Sequence, residues 1–220
     1  MINLPDFGDS WEHENNFYLS CDVTRISKVL AHYELFKMVS SLPGHVVECG
    51  VFKGASLVRF AAFRELLGST YSKRIVGFDT FGTFPETLYG SDVAVRERFV
   101  QAAGDESIGA GQLERVLEHQ GTNRNVELIP GDITETVPDY VEAHPELRIS
   151  LLNLDTDIYE PARVILEHLY PRIVPGGLLV LDDYGTFPGE TDAVDEYFEG
   201  AGMKIEKLPL AMTPCFIRKA

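Results

Sequence analysis

Two apolar runs that each end in a pair of acidic residues constrain the fold of this 220-residue chain more than any other feature. Both lie within residues 151–184, where they flank a segment whose apolar residues recur at helical spacing. Pro175-Gly176-Gly177 predicts a turn before the second run. The acids are Asp155 and Asp157 after the first run, at residues 151–154, and Asp182 and Asp183 after the second, at residues 178–181.

These runs predict two buried parallel strands joined by a helix, so that their carboxyl ends lie side by side. Open α/β sheets bind their ligands at that edge. Four carboxylates meeting there repel one another unless a cation or a proton offsets the charge. We therefore predict a divalent metal site with a spare carboxylate as a base. The alternative is two solvated acidic loops, but repetition of the pattern on adjacent strands favours the metal.

A glycine-bearing turn joins another predicted strand, His45–Cys49, to an amphipathic helix that runs through Leu67. Gly50 and Gly54 allow backbone to approach a ligand, and the helix N-terminus supplies unpaired N–H groups. The turn lacks the three glycines of the dinucleotide fingerprint. Glu48 at the strand end would repel a pyrophosphate but suits a cationic or hydroxyl-rich ligand. A plain tight turn is the alternative.

Acidic residues also follow the next two predicted strands. Residues 74–78 form the second strand and end at Asp79, which is placed to accept hydrogen bonds from both hydroxyls of a ribose. Residues 126–129 form the third, and Asp132 behind it is placed for an adenine amino group. Each acid alone is compatible with a solvated strand end, whereas Glu48 and Asp79 together favour a nucleoside site.

The segment between the second and third strands, residues 80–125, is longer than a simple crossover requires. Two helices fit within it, at residues 93–103 and 112–119. We expect this segment to include a mobile cover over the substrate. Residues 203–208 and 214–218 predict two final strands that pair antiparallel. No repeat or linker divides the chain, so residues 1–220 are predicted to form one domain.

Residues 1–20 predict an irregular N-terminal arm. Its aromatic residues Trp11, Phe17 and Tyr18 are expected to pack onto this subunit or a neighbour, which favours a homo-oligomer. A helix follows at Val23–Val39, with Asp22 as its N-terminal cap.

Composition excludes several classes of partner. With 19 basic and 34 acidic residues, the net charge of −15 disfavours binding to nucleic acid or to an anionic membrane. The three cysteines have no metal-ligand spacing, and free thiols suit the cytoplasm, where we expect the protein. The N-terminus lacks the apolar region of a signal peptide, and no apolar run reaches the roughly 18 residues of a spanning helix. Motifs of triad hydrolases and zincins are missing.

Five separated motifs resemble those of the macrocin O-methyltransferase (TylF-type) family. They are VVECGVFKGAS at residues 46–56, GFDTF at 77–81, PGDI at 130–133, LDTDIYE at 154–160 and DDY at 182–184. The resemblance implies an α/β class I methyltransferase (Rossmann-like) fold, with a doubly wound, mostly parallel seven-stranded sheet and an antiparallel C-terminal strand. It also implies S-adenosylmethionine as the methyl donor, a divalent cation, usually magnesium, and a sugar hydroxyl as the acceptor, on a nucleotide sugar or a glycoside.

The same resemblance implies a role for each site residue. The cofactor residues are Glu48, Gly50, Phe52, Gly54 and Ser56 around the methionine and sulfonium, Asp79 and Thr80 at the ribose, and Asp132 and Ile133 at the adenine. The metal ligands are Asp155, Asp182 and Asp183. Asp157 is the general base.

Physical chemistry favours the same reaction. An alkyl hydroxyl is a poor nucleophile, and a hard cation held by carboxylates binds it, lowers its pKa and orients it. A nearby carboxylate then removes the proton. Vicinal diols, in sugars or catechols, suit such a site. The alternatives are a catechol or phenolic O-methyltransferase and a non-catalytic module that binds S-adenosylmethionine. The missing third glycine disfavours a nicotinamide dehydrogenase.

Overall fold

The structure, a computed structural model, describes residues 2–220 and is organised around a seven-stranded sheet. The strands are β1 His45–Cys49, β2 Ile75–Asp79, β3 Val126–Pro130, β4 Ile149–Leu154, β5 Ile173–Leu181, β6 Glu206–Lys207 and β7 Cys215–Arg218. Their order is β3-β2-β1-β4-β5-β7-β6, and the C-terminal strand β7 runs antiparallel to both of its neighbours. The predicted fold class is therefore confirmed.

Eight helices accompany the sheet within the described part of the chain. They are α1 Ser10–Ser20, α2 Val23–Val39, α3 Ala55–Leu66, α4 Gly90–Ala103, α5 Ala110–Gln120, α6 Ile133–Ala143, α7 Tyr159–His168 and α8 Pro188–Tyr197. The helices predicted from periodicity are confirmed to within a few residues at their ends. Asp22 caps α2 as predicted, because its carboxylate accepts a hydrogen bond from the Thr24 N–H at 2.9 Å.

Two apolar cores cover the two faces of the sheet. One contains Leu35 of α2, Phe60 of α3 and Leu113 of α5, and the other contains residues of α6, α7 and α8. Successive strand residues alternate between the two cores, as the two-residue period of a strand requires: Val46 faces the first and Val47 the second. Helices after β1 and β2 cover one face and those after β3 and β4 the other. The order in which strands join the sheet therefore reverses between β1 and β4, and folds of this kind bind ligands in the crevice at that point.

The turn predicted at Pro175-Gly176-Gly177 is wrong, because these residues lie inside β5. The pairing of β4 with β5 shifts register between Ile149 and Leu151, and Gly176 has a φ of +82°. A Cβ atom on Gly177 would come within 2.9 Å of the Ser150 carbonyl oxygen. The glycines therefore form an irregularity within a long strand rather than a break between helix and strand.

The prediction of an irregular arm at residues 1–20 is also wrong in part, because α1 occupies its second half. Residues before α1 pack onto this subunit: the Gln112 side-chain amide donates to the Ile2 carbonyl at 2.7 Å, and Phe7 stacks on His119. Trp11, Phe17 and Tyr18 are 78%, 38% and 61% exposed in this subunit, so their packing against a neighbouring subunit stays a prediction. Within residues 2–220, no helix combines the length and apolar character that crossing a bilayer requires.

Candidate active site

A cavity of about 600 Å³ opens at the carboxyl edge of the sheet, where β1 and β4 meet. It brings together all four predicted acids and seven of the nine predicted cofactor residues. The acids are Asp155, Asp157, Asp182 and Asp183, and the cofactor residues are Gly50, Phe52, Ser56, Asp79, Thr80, Asp132 and Ile133. Residues that are more than a hundred positions apart in sequence therefore face one space.

Gly50 joins the glycine turn to the acidic loop. Its φ is +91°, and a Cβ atom there would lie 1.7 Å from the carbonyl oxygen of Asp155. The Asp155 N–H donates to the Cys49 carbonyl at 3.0 Å, which extends the pairing of β1 and β4 past their ends. Only glycine permits this approach, because any side chain would separate the two backbones.

Asp79 organises the same turn from the end of β2. One of its carboxylate oxygens accepts the N–H groups of Val51 and Phe52 at 2.8 and 2.9 Å. The other accepts the Phe81 N–H at 2.7 Å. Asp79 is thus a structural acceptor as well as the predicted ribose acceptor, a role that its sequence position alone does not reveal.

Two predicted cofactor residues, Glu48 and Gly54, do not line the cavity. Glu48 is fully buried and accepts a hydrogen bond from the Asn153 amide at 3.0 Å, while its second oxygen has no partner within residues 2–220. Burial raises the pKa of Glu48 to about 8. Gly54 has a φ of +84° at the start of α3, and a Cβ atom would lie 3.1 Å from Leu113 of α5. Gly54 therefore allows the start of α3 to pack closely against α5.

Asp132 follows β3, which lies three strands from β4 in the sheet, so it lines the cavity well away from the acidic loops. Its side chain caps α6, because one oxygen accepts the Thr134 N–H at 2.8 Å and the Thr134 hydroxyl at 2.7 Å. In the described chain the second oxygen accepts no hydrogen bond. That oxygen is available to a ligand.

Three acids converge at the centre of the site. Asp155, Asp157 and Asp183 each contribute a carboxylate oxygen, and these oxygens lie within 4.8 Å of one another. Asp157 has a φ of +65°, a conformation that residues other than glycine rarely adopt. The strand ends at Leu154, so this turn of the backbone, rather than strand alternation, brings Asp157 beside Asp155.

The three acids lie close together and partly buried, which disfavours their charged forms. Burial raises the pKa values of Asp155 and Asp183 well above their usual range, and neighbouring carboxylates add to the rise. Burial also raises the pKa of Asp157 to about 7. A divalent cation would replace the protons that these values imply. The donors are hard carboxylate oxygens, so the residues present fit magnesium or calcium.

Asp182 is held apart from this trio by two residues of α2. The Lys28 ammonium contacts one of its oxygens, and His32 Nε2 lies 3.4 Å from the other. Burial favours the neutral form of Asp182, but these contacts outweigh it and lower its pKa to about 2. Asp182 is therefore ionised and paired with Lys28, whereas among the described residues no cation forms an ion pair with the other three acids.

Sequence reasoning missed this basic face of α2. Arg25, Lys28 and His32 follow each other at spacings of three and four residues, which places them on one side of a helix. That spacing was the available signal, although it does not reveal that the face lies over Asp182. Arg59 of α3 also lines the cavity, close enough to interact electrostatically with Arg25 and Asp182.

A second missed residue, Asp92, ties α4 to both acidic loops. It is fully buried, and its carboxylate accepts the Tyr159 N–H at 3.0 Å and the Gly189 N–H at 2.7 Å. These N–H groups belong to the first turns of α7 and α8, which follow the loops bearing Asp157 and Asp183. The segment predicted as a lid is therefore anchored at this point to the backbone around the acids.

A family model for macrocin O-methyltransferase (TylF) matches residues 24–219 of this chain. The chain belongs to the macrocin O-methyltransferase family. The resemblance inferred from the five motifs is confirmed.

Individual relatives agree with this assignment. The chain is 32% identical over 162 residues to the 8-demethyl-8-(2,3-dimethoxy-alpha-L-rhamnosyl)-tetracenomycin-C 4'-O-methyltransferase of Streptomyces olivaceus, covering 73% of this chain and 60% of that protein. It is 28% identical to the mycinamicin III 3''-O-methyltransferase of Micromonospora griseorubida, covering 75% and 64%. The matched part thus spans less than two thirds of these two relatives.

Solved structures support the fold over more of the chain. The calicheamicin methyltransferase CalS11 superposes with a TM-score of 0.78 at 29% identity, covering 95% of this chain and 85% of that one. The O-methyltransferase NovP superposes with a TM-score of 0.74 at 21% identity, covering 89% and 80%. At its lower identity, NovP supports the fold alone.

Proposed function

We propose that this protein is a metal-dependent O-methyltransferase that uses S-adenosylmethionine to methylate a sugar hydroxyl in natural-product biosynthesis. The observation that carries the proposal is the convergence of Asp155, Asp157 and Asp183 in the same cavity as the glycine turn. A methyl donor bound along the turn would face the carboxylates directly, because Gly50 holds the two loops in contact.

The cavity supplies distinct groups for each part of the cofactor. Asp132 lies at the adenine end with one free oxygen, and Asp79 lies at the ribose position. Phe52 and Ser56, which also line the cavity, would lie beside the methionine portion. S-adenosylmethionine supplies an electrophilic methyl group on a sulfonium, which is a good leaving group. What remains for the protein is to align the acceptor oxygen and to remove its proton.

The acidic loops supply the proton acceptor. We assign Asp157 as the general base, because it lines the cavity beside the two acids that would hold the cation, and a cation there would keep its carboxylate ionised. Asp155 and Asp183 would hold a divalent cation, since they belong to both the predicted ligand set and the convergent trio. A cation there supplies Lewis acidity that lowers the pKa of a hydroxyl. Asp182, the third predicted ligand, is paired with Lys28 and would join the cation only by exchanging that contact for it.

Names of the relatives support a sugar as the acceptor. The Streptomyces olivaceus relative is named for a rhamnosyl tetracenomycin, and CalS11 is described as a TDP-rhamnose 3'-O-methyltransferase. The relatives therefore include one named for a glycoside and one named for a nucleotide sugar. We propose a sugar acceptor for this chain.

Methyl transfer from labelled S-adenosylmethionine to a panel of nucleotide sugars, sugar glycosides and catechols tests the proposal. We expect a methylated sugar, S-adenosylhomocysteine as the second product, and loss of turnover in excess chelator that magnesium restores. Turnover of catechols alone would make the protein a phenolic methyltransferase. Binding of S-adenosylhomocysteine without turnover of any acceptor would make it a non-catalytic binding module.

A further inference from the structure

Four basic side chains line the cavity, and two of them have no partner in the described part of the chain. Lys28 contacts Asp182, and Lys53 donates a hydrogen bond to a backbone carbonyl of α4. Across residues 2–220, the side chains of Arg25 of α2 and Arg59 of α3 form neither an ion pair nor a hydrogen bond with the protein.

The surroundings of Arg59 are unfavourable for a cation that lacks a partner. It is half-buried, and burial together with the charge of Arg25 lowers the pKa of its guanidinium. The carboxylates of Asp182, Glu48 and Asp155 attract it, but none forms an ion pair with it. An anion between the two arginines would offset their repulsion and supply the missing hydrogen bonds.

We propose that Arg25 and Arg59 form a subsite for a phosphoryl group carried by the acceptor sugar. Guanidinium groups bind phosphate oxygens through two parallel hydrogen bonds, and two arginines match the charge of a phosphoryl group better than that of one carboxylate. Arg25 is exposed and Arg59 half-buried, so the phosphoryl group lies towards the cavity mouth. The sugar then lies inward, at the acids.

This subsite rests on the proposed function and narrows its substrate class. It is distinct from the adenine end, which Asp132 marks, and Arg25 lies on a helix outside the glycine turn and α3. Two classes of acceptor would place a phosphoryl group at this position: nucleoside diphosphate sugars and sugar 1-phosphates. Both contain the group that the arginines recognise, and a neutral glycoside does not.

Titration calorimetry on protein saturated with S-adenosylhomocysteine, at one magnesium concentration, tests the subsite. The probes are thymidine diphosphate, glucose 1-phosphate, thymidine and methyl glucoside. We expect Arg25→Gln and Arg59→Gln each to weaken binding of the phosphorylated probes by roughly 10- to 100-fold, with stronger weakening at low salt. Arg115→Gln, an exposed arginine of α5 that does not line the cavity, is the control and should bind as wild type.

The four probes distinguish a nucleotide sugar from a sugar phosphate, and each negative result has its own meaning. Tighter binding of thymidine diphosphate assigns the site to nucleotide sugars, and tighter binding of glucose 1-phosphate assigns it to sugar phosphates. Unchanged affinity in both arginine variants, or no binding of either phosphorylated probe, overturns the subsite. A loss of affinity for S-adenosylhomocysteine instead would assign the arginines to the cofactor carboxylate and also overturns it. Arginine-dependent binding without methylation of any sugar would leave the subsite standing and refute the proposed function.

Discussion

Gly50→Ala is predicted to damage the active site more than any other single methyl addition to the cavity wall. The new Cβ atom would lie 1.7 Å from the Asp155 carbonyl oxygen, where ordinary contact begins at 3.4 Å. One of the two loops therefore has to move by about 1.7 Å, the difference between these distances. A misplacement of about 1 Å costs on the order of 100-fold in rate, so activity should fall by at least that factor.

The same change should lower stability by a moderate amount. A side chain at a φ of +91° costs about 1–2 kcal/mol. Loss of the hydrogen bond from Asp155 N–H to the Cys49 carbonyl adds about 0.5–1.5 kcal/mol. For a chain of this length, a total of about 1.5–3.5 kcal/mol lowers Tm by roughly 3–14 °C.

Thermal unfolding, calorimetric binding of S-adenosylhomocysteine and initial rates of methyl transfer measure these effects separately. Gly111→Ala is the matched control, because a Cβ atom on this helical glycine of α5 meets nothing within 4 Å. It should keep wild-type activity and gain slightly in stability. Wild-type activity and Tm in Gly50→Ala would show that the two loops do not need this contact.

Substitutions at the carboxylates separate the roles of cofactor, base and metal. Asp79→Asn should weaken S-adenosylhomocysteine binding by roughly 10- to 100-fold, because charged acceptors at the ribose and at the turn are lost; unchanged affinity in calorimetry would refute its placement. Asp157→Asn should bind cofactor normally but slow single-turnover methylation by roughly 10²–10⁴-fold, because a base is lost. Asp182→Asn should instead bind the metal more weakly, so added magnesium should partly restore its rate. Rescue of Asp157→Asn by magnesium would make Asp157 a ligand. Because the pKa of Glu48 is raised to about 8, the folded state holds its proton more tightly than the unfolded state, and stability from this group falls as pH rises from about 4.5 to 8. Glu48→Gln removes that loss, so its Tm should fall less than the wild-type Tm between about pH 5 and pH 8; parallel profiles would refute the assignment.

Much of the sheet follows from local patterns in the sequence. Parallel strands buried on both faces consist of short apolar runs, so β1 and β4 are visible without tertiary information. The glycines of β5 are misleading, because Gly176 and Gly177 predict a turn but lie within an irregular part of the strand. Residues 10–20 contain no glycine or proline and form a helix, although no apolar face marks it.

The site was predictable where its residues follow strand ends and not where they come from distant elements. Asp155 and Asp183 follow adjacent strands, so topology alone brings them together. His32 and Asp182 are 150 residues apart, and their contact depends on how α2 packs over the sheet edge. Asp92 is an ordinary acid in sequence, and only the packed helices show that its carboxylate binds two backbone N–H groups.

Anomalous scattering from manganese in crystals grown with S-adenosylhomocysteine tests most directly whether the acidic loops and the glycine turn form one catalytic centre. Manganese takes the same oxygen ligands as magnesium and can be located without ambiguity. We predict one strong peak bound by Asp155 and Asp183, with the cofactor sulfur facing it across the cavity and the adenine near Asp132. A cofactor bound in the cavity with no metal peak at these acids, or a peak away from the cofactor, would contradict the account.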